Sequence, residues 1–182
     1  MNYYLRVTNL KNVEKTLELQ ELFFDNDNLK LVLPDFQRDL EWKVDKQKQL
    51  LASFFVSLPI GSFLTLKGTK NDFAAKKLCF PNEVIEPKEE CVYLLDGQQR
   101  LSSLKSIFSD FFGDKDRWVE TWEKIYKDLR YRWFIKIKPN NEEDIFGWDN
   151  LQFNGIQKLE PKQLLGFFEM KPIYKTKVQD WF

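Results

Sequence analysis

The spacing of apolar positions changes several times along this chain, and each change marks a candidate element. In residues 14–24, Leu17, Leu19, Leu22 and Phe23 recur at near-helical spacing until Asp25-Asn26-Asp27-Asn28 breaks the pattern, which predicts a short helix and a turn. Residues 29–33 form a compact apolar run halted by Pro34, so a strand is predicted to end where Asp35-Phe36-Gln37-Arg38 begins. In residues 45–58 the set Leu50, Leu51, Phe54, Phe55 and Leu58 steps by three and four, which predicts an amphipathic helix stopped by Pro59-Ile60-Gly61. A short strand over 62–66 and a charged excursion over 67–90, with room for a small hairpin, follow. Cys91-Val92-Tyr93-Leu94-Leu95 is a continuous apolar run, the pattern of a strand buried on both faces. It leads through Asp96-Gly97 into Leu101, Leu104, Ile107, Phe108, Phe111 and Phe112, one face of a helix.

Beyond this point the periodicity predicts a helix over 116–129, carrying Trp118, Trp122, Ile125 and Leu129, and a strand over 131–137 closed by Pro139. The aromatics Phe146, Trp148, Phe153, Phe167 and Phe168 mark further packing without defining a topology. The interleaving of strands and helices gives an α+β (mixed α/β) fold. Its core lies within residues 1–112, and residues 113–182 form a helical, aromatic-rich extension packed on that core. The closing residues Gln179-Asp180-Trp181-Phe182 read as a cut from a longer chain.

Composition narrows the chemistry. Hydrophobic residues make up 43% and aromatics 16%, which specifies a packed body rather than a disordered one. The 28 basic and 28 acidic residues cancel, so no long-range field draws the chain to DNA or to an anionic membrane, and no apolar run approaches a bilayer span. Histidine is absent, which removes Ser-His-Asp triads, HNH-type nuclease chemistry and imidazole general bases. Cys79 and Cys91 have no second pair to make a zinc site. As free thiols in a chain without a signal peptide, they fit a cytoplasmic protein. The lysines at 43, 46 and 48 and the acidic runs Glu89-Glu90 and Glu142-Glu143-Asp144 read as solvated charge.

Two polar clusters remain. At Asp96-Gly97-Gln98-Gln99-Arg100 a strand turns into a helix, whose first N–H groups and partial positive charge suit an anion. Gly97 permits close approach, and Arg100 offers a planar cation. Gln98 and Gln99 can serve a base, a sugar or an attacking water, and Asp96 can cap the helix or hold Mg²⁺. Phe36-Gln37-Arg38 again places an amide and a guanidinium just past a strand, so Arg38 and Arg100 can face one crevice as a two-arginine phosphate clamp. The plainer alternatives are a solvated first helical turn, an Arg38 salt bridge to Glu41 or Asp39, and Trp42 as core packing rather than a base-stacking surface.

The order Leu33-Pro34-x-Phe36-Gln37-Arg38-x3-Trp42, Leu50-Leu51-Ala52-Ser53, Leu58-Pro59-Ile60-Gly61-Ser62-Phe63 and Leu94-Leu95-Asp96-Gly97-Gln98-Gln99-Arg100-Leu101 resembles the N-terminal domain family of GmrSD restriction systems, over roughly residues 17–112. The resemblance implies a core similar to the ParB and sulfiredoxin fold, a small mixed sheet with helices whose members bind nucleotides. It also implies nucleotide hydrolysis that controls DNA cleavage in phage defence. Carried over by position, Asp96, Gln98, Gln99 and Arg100 form the catalytic set, with Asp96 as the metal ligand. Gln37, Arg38 and Gly97 become the nucleotide contacts. The implied cofactors are a nucleoside triphosphate and Mg²⁺; the implied partners are DNA and a nuclease domain or subunit elsewhere, with no membrane. Family members often append an HNH nuclease, which this histidine-free chain does not itself supply. Two rival readings use the same residues: a non-enzymatic DNA-binding or protein-interaction module, and a nuclease whose Asp35 and Asp96 hold metal.

Overall fold

A computed structural model describes residues 4–9, 14–109, 111, 118–136, 146–150 and 170–172. In chain order the elements are β1 (Tyr4–Asn9), β2 (Glu14–Glu18), α1 (Leu19–Asp27), β3 (Leu31–Pro34), α2 (Val44–Phe55), β4 (Ser62–Thr69), β5 (Ala75–Lys76), β6 (Val84–Ile85) and β7 (Glu90–Asp96). They continue with α3 (Gln98–Phe108), α4 (Trp118–Lys124), a 3₁₀ turn (Lys127–Leu129), β8 (Tyr131–Lys136), β9 (Phe146–Asn150) and β10 (Met170–Pro172). The fold is therefore α+β, as the sequence pattern predicts.

One sheet has the strand order β2-β1-β4-β7-β3-β5-β6, and β10-β8-β9 form a second, antiparallel one. The larger sheet is mixed: β3 and β7 run parallel, and β4 lies antiparallel to β7 on its other side. This arrangement places the ends of β3 and β7 and the start of β4 at one edge, where β3 and β7 lead into the two polar motifs and β4 is entered from Leu58-Pro59-Ile60-Gly61. Successive residues of β7 serve opposite faces. Cys91 and Tyr93 pack with Val32 and Ala75, whereas Leu94 joins Leu31, Leu33, Leu101 and Leu104 under the helices. The unbroken apolar run of this strand follows from burial on both sides.

The amphipathic stripes of α2 and α3 meet over the sheet, and Leu51 and Ile107 extend the contact to Trp133 and Phe146 on β8 and β9. A buried cation joins α3 to the end of α1. Lys105, 1% exposed, donates from Nζ to Asn26 Oδ1 and Asp27 Oδ1, both at 2.6 Å, while Asn26 Nδ2 donates to Leu31 O. Such a charge is tolerated inside only because it is paired and hydrogen-bonded.

Some boundaries differ from those the sequence predicts. The helix predicted from residue 14 begins at Leu19, because residues 14–18 extend as β2 and pair antiparallel with β1. The helix predicted over 116–129 divides into α4 and the 3₁₀ turn. The excursion between β4 and β7 does contain a small antiparallel ladder, β5 with β6, joined through β5 to β3. Phe153, Phe167 and Phe168 lie outside the described residues. Among the described residues no helix is long and apolar enough to cross a membrane.

Cys79 and Cys91 are both free and buried. Burial pushes the Cys79 thiol up to about 12 and raises that of Cys91 as well. Both therefore stay protonated and shielded near neutral pH. An aromatic disulfide reagent at pH 8 should titrate neither thiol in the native protein and both in denaturant; rapid native labelling of either would contradict this packing.

Candidate functional site

At the common edge of β3, β7 and β4 the chain encloses a cleft of about 330 Å³. All seven residues expected to be catalytic or to contact a nucleotide line it, namely Gln37, Arg38, Asp96, Gly97, Gln98, Gln99 and Arg100, joined by Trp42, whereas Phe36 of the first motif does not. The parallel pairing of β3 with β7 explains the convergence, since it sends both motifs off the same ends of neighbouring strands.

Gly97 makes the turn. It is the N-cap of α3 in the left-handed region at φ +101°, and a Cβ there would lie 2.3 Å from Cδ1 of the Phe63 ring. Among the described residues no side chain caps the helix, so the expectation that Asp96 can serve as its cap is corrected. Asp96 lies one residue too early, and its Oδ2 instead accepts from Arg100 at 3.0 Å across one helical turn.

Three long side chains tie the segments together. Gln37 Nε2 donates to Leu95 O at 2.7 Å, fastening the first motif to the end of β7. Gln99 is 8% exposed; its Oε1 accepts from the N–H groups of Glu41 (2.8 Å) and Trp42 (3.1 Å), and its Nε2 donates to Asp39 O (2.9 Å). Arg100 donates from Nη1 to Ile60 O at 3.0 Å and from Nη2 to Ser62 O at 2.8 Å, with its guanidinium carbon 5.3 Å from the centre of the Phe63 ring. Its side chain is 18% exposed. The guanidinium groups therefore do not form a symmetric pair. Arg100 faces protein carbonyls, whereas Arg38, 67% exposed, meets Glu41 Oε2 at 3.1 Å in the surface salt bridge that the sequence offers as the plainer alternative.

Gln98 differs from its neighbour. It is 4% exposed, and its Oε1 meets no hydrogen-bond donor among the described residues. A buried amide oxygen left this way costs free energy unless something else donates to it. Beside the cleft, Tyr126 donates its hydroxyl to Asp39 Oδ1 at 3.0 Å; burial, reinforced by that bond, holds the phenol above its ordinary range, so it remains a donor.

The segment Leu58-Pro59-Ile60-Gly61-Ser62-Phe63 carries a role that its sequence does not disclose. It supplies the carbonyls that Arg100 binds and the ring beneath it. Gly61, at φ +93°, leaves the space: a Cβ there would sit 1.8 Å from Arg100 Nη1. The signal in the sequence is a Pro-x-Gly break between a helix and a strand, which announces a tight approach without saying what approaches. Trp42, read from sequence as core packing, is partly that, since it packs against the main core cluster while also lining the cleft.

No curated protein matches the chain. A family model described as the GmrSD restriction endonuclease N-terminal domain matches residues 19–178, a stretch that takes in the cleft and continues well past the motifs. With both polar motifs inside that match and gathered on one cleft, this chain belongs to the GmrSD restriction endonuclease N-terminal domain family and is a component of a restriction system.

Proposed function

We propose that the domain binds a nucleoside triphosphate with Mg²⁺ in this cleft, and that binding followed by hydrolysis switches a DNA-targeting effector, a nuclease domain or subunit of the same restriction system. The observation that carries the reading is the convergence of both motifs on one cleft around a helix N-terminus without a side-chain cap. The N–H groups of that first turn and the helix dipole favour an anion. Arg38 can leave its exposed partner for a phosphate at little cost, because a pair of this kind contributes little. A water or hydroxyl in the bound state supplies the donor that Gln98 Oε1 lacks, and we assign Gln98 to orienting the attacking water. Gln99 and Arg100, rather than touching phosphate through every polar atom, hold the cleft in shape.

Mg²⁺ commonly binds through one or two carboxylates plus substrate phosphates, and the largely exposed Asp96 suits that role. The ion would be held by Asp96 and phosphate oxygens, where it would offset charge on the phosphoryl group being transferred. Among the described residues no group of three or more His, Cys, Asp or Glu gathers as a metal site, and Asp35 does not line the cleft. The position of Asp35 outside the cleft favours the nucleotide reading over a nuclease built on Asp35 and Asp96.

The test is thermal denaturation and calorimetric titration with ATP, GTP, CTP and UTP, each with Mg²⁺. Ligand at a hundred times its Kd should add about 2.7 kcal/mol, roughly 5–10 °C for a chain of this size. Arg38→Ala should leave the melting temperature of the free protein nearly unchanged and weaken binding roughly ten- to a hundredfold. Undiminished affinity in folded Arg38→Ala protein, or no stabilisation of the wild type by any of the four, would overturn the reading.

A further inference from the structure

The cleft is polar on every side but one. Among the described residues that line it, Trp42 alone carries a large apolar side chain; the others bring amides, guanidinium groups, a carboxylate and a glycine. The backbone of Trp42 is fixed from two directions. Its N–H donates to Gln99 Oε1 at 3.1 Å, and its carbonyl accepts from Gln47 Nε2 at 3.1 Å. Gln47 is itself fully buried and donates to Asp128 O at 2.6 Å, so this support is anchored in the protein interior. Trp42 is half-buried, packs against the core cluster and lines the cleft beside the uncapped end of α3.

We infer that Trp42 is the base platform of the site: the ligand's phosphates lie toward the α3 N-terminus and Arg38, and its heterocycle stacks on the indole. This inference rests on the reading of the cleft as a nucleotide site and adds which side chain meets the base. A site for inorganic phosphate alone gains nothing from an aromatic lining residue, whereas a nucleotide brings a planar π surface attached to its phosphates. Stacking is also insensitive to the hydrogen-bonding pattern of the base. Purine and pyrimidine nucleotides therefore both benefit, with purines gaining more through their larger ring area.

The experiment is calorimetric titration of the full chain with inorganic triphosphate, ATP and UTP, each with Mg²⁺, using wild type, Trp42→Phe and Trp42→Leu. Wild type should bind ATP about 5- to 100-fold more tightly than inorganic triphosphate. In Trp42→Leu that ratio should fall to near unity while affinity for inorganic triphosphate holds, and Trp42→Phe should keep most of it. Each protein serves as its own reference, so a less stable variant does not distort the ratio. In wild type, saturating ATP or UTP should also quench tryptophan emission where inorganic triphosphate does not, a readout that needs no variant to fold. A Trp42→Leu protein with the wild-type ratio, equal wild-type affinity for ATP and inorganic triphosphate, or the absence of base-dependent quenching overturns the platform and leaves the phosphate site standing. Wild type that binds none of the three overturns both.

Discussion

Arg100→Ala is expected to lower the stability of the domain by about 1–3 kcal/mol, more than removal of an arginine from an exposed first helical turn would. The cause is what the guanidinium leaves behind. Ile60 O would lose its donor in a partly buried position, where an unsatisfied carbonyl costs about 1–3 kcal/mol, whereas Ser62 O lies exposed and water replaces most of what it loses. Lost contact with the Phe63 ring adds a smaller amount, and the bond to the exposed Asp96 carboxylate adds little. Arg100→Lys keeps the charge but cannot span two carbonyls with a planar fork, so it should fall between wild type and the alanine variant. Urea denaturation of the three proteins is the measurement. If Arg100→Ala unfolds within about 0.5 kcal/mol of wild type, the clamp on the β4 entry segment is not holding it.

Gly97→Ala should be at least as damaging, by about 2–5 kcal/mol. A left-handed backbone costs a non-glycine residue roughly 1–2 kcal/mol, and overpacking a filled site typically adds about 1–3 kcal/mol. Here the second contribution is hard to avoid, because the new methyl would meet the ring of Phe63, itself only 1% exposed, at 2.3 Å. Gly61→Ala carries the same left-handed backbone strain, at φ +93°, but contrasts in what its methyl meets. The atom its methyl would strike is the far end of the Arg100 side chain, which can swing away and surrender its carbonyls. Combining Gly61→Ala with Arg100→Ala should therefore cost less than the sum of the two, since the single changes break the same contact. Full additivity in denaturant midpoints would refute that shared origin.

These expectations also show where sequence is informative. The strand before Asp96, the helix after Gly97 and the strand before the first motif each carry a local signature, and the parallel pairing of β3 with β7 then suffices to bring the motifs together. What Gln99 and Arg100 do is not legible, because their partners lie some 40 to 60 positions away. An amide and a guanidinium beside a turn look the same in sequence whether they face a ligand or a neighbouring loop. The strand–helix switch at Leu19 is hidden for a related reason: it occurs without a glycine, a proline or a side-chain cap, so the apolar spacing across it mimics a single helix. Lys105 illustrates the limit most plainly. Between Leu104 and Ser106 it looks like an ordinary surface lysine of a helix, and only the approach of α1 puts it inside.

That buried lysine has a mechanical consequence. α3 spans 11 residues, roughly 16 Å. Near one end Gln99 and Arg100 grip the segments around the cleft, and about a turn and a half further along Lys105 grips the last turn of α1. A rod pinned near both ends has little freedom to bend between them, so displacement of the cleft floor becomes displacement of the whole rod. The end of α1, 78 residues before Lys105 in sequence, is thereby tied through α3 to the cleft.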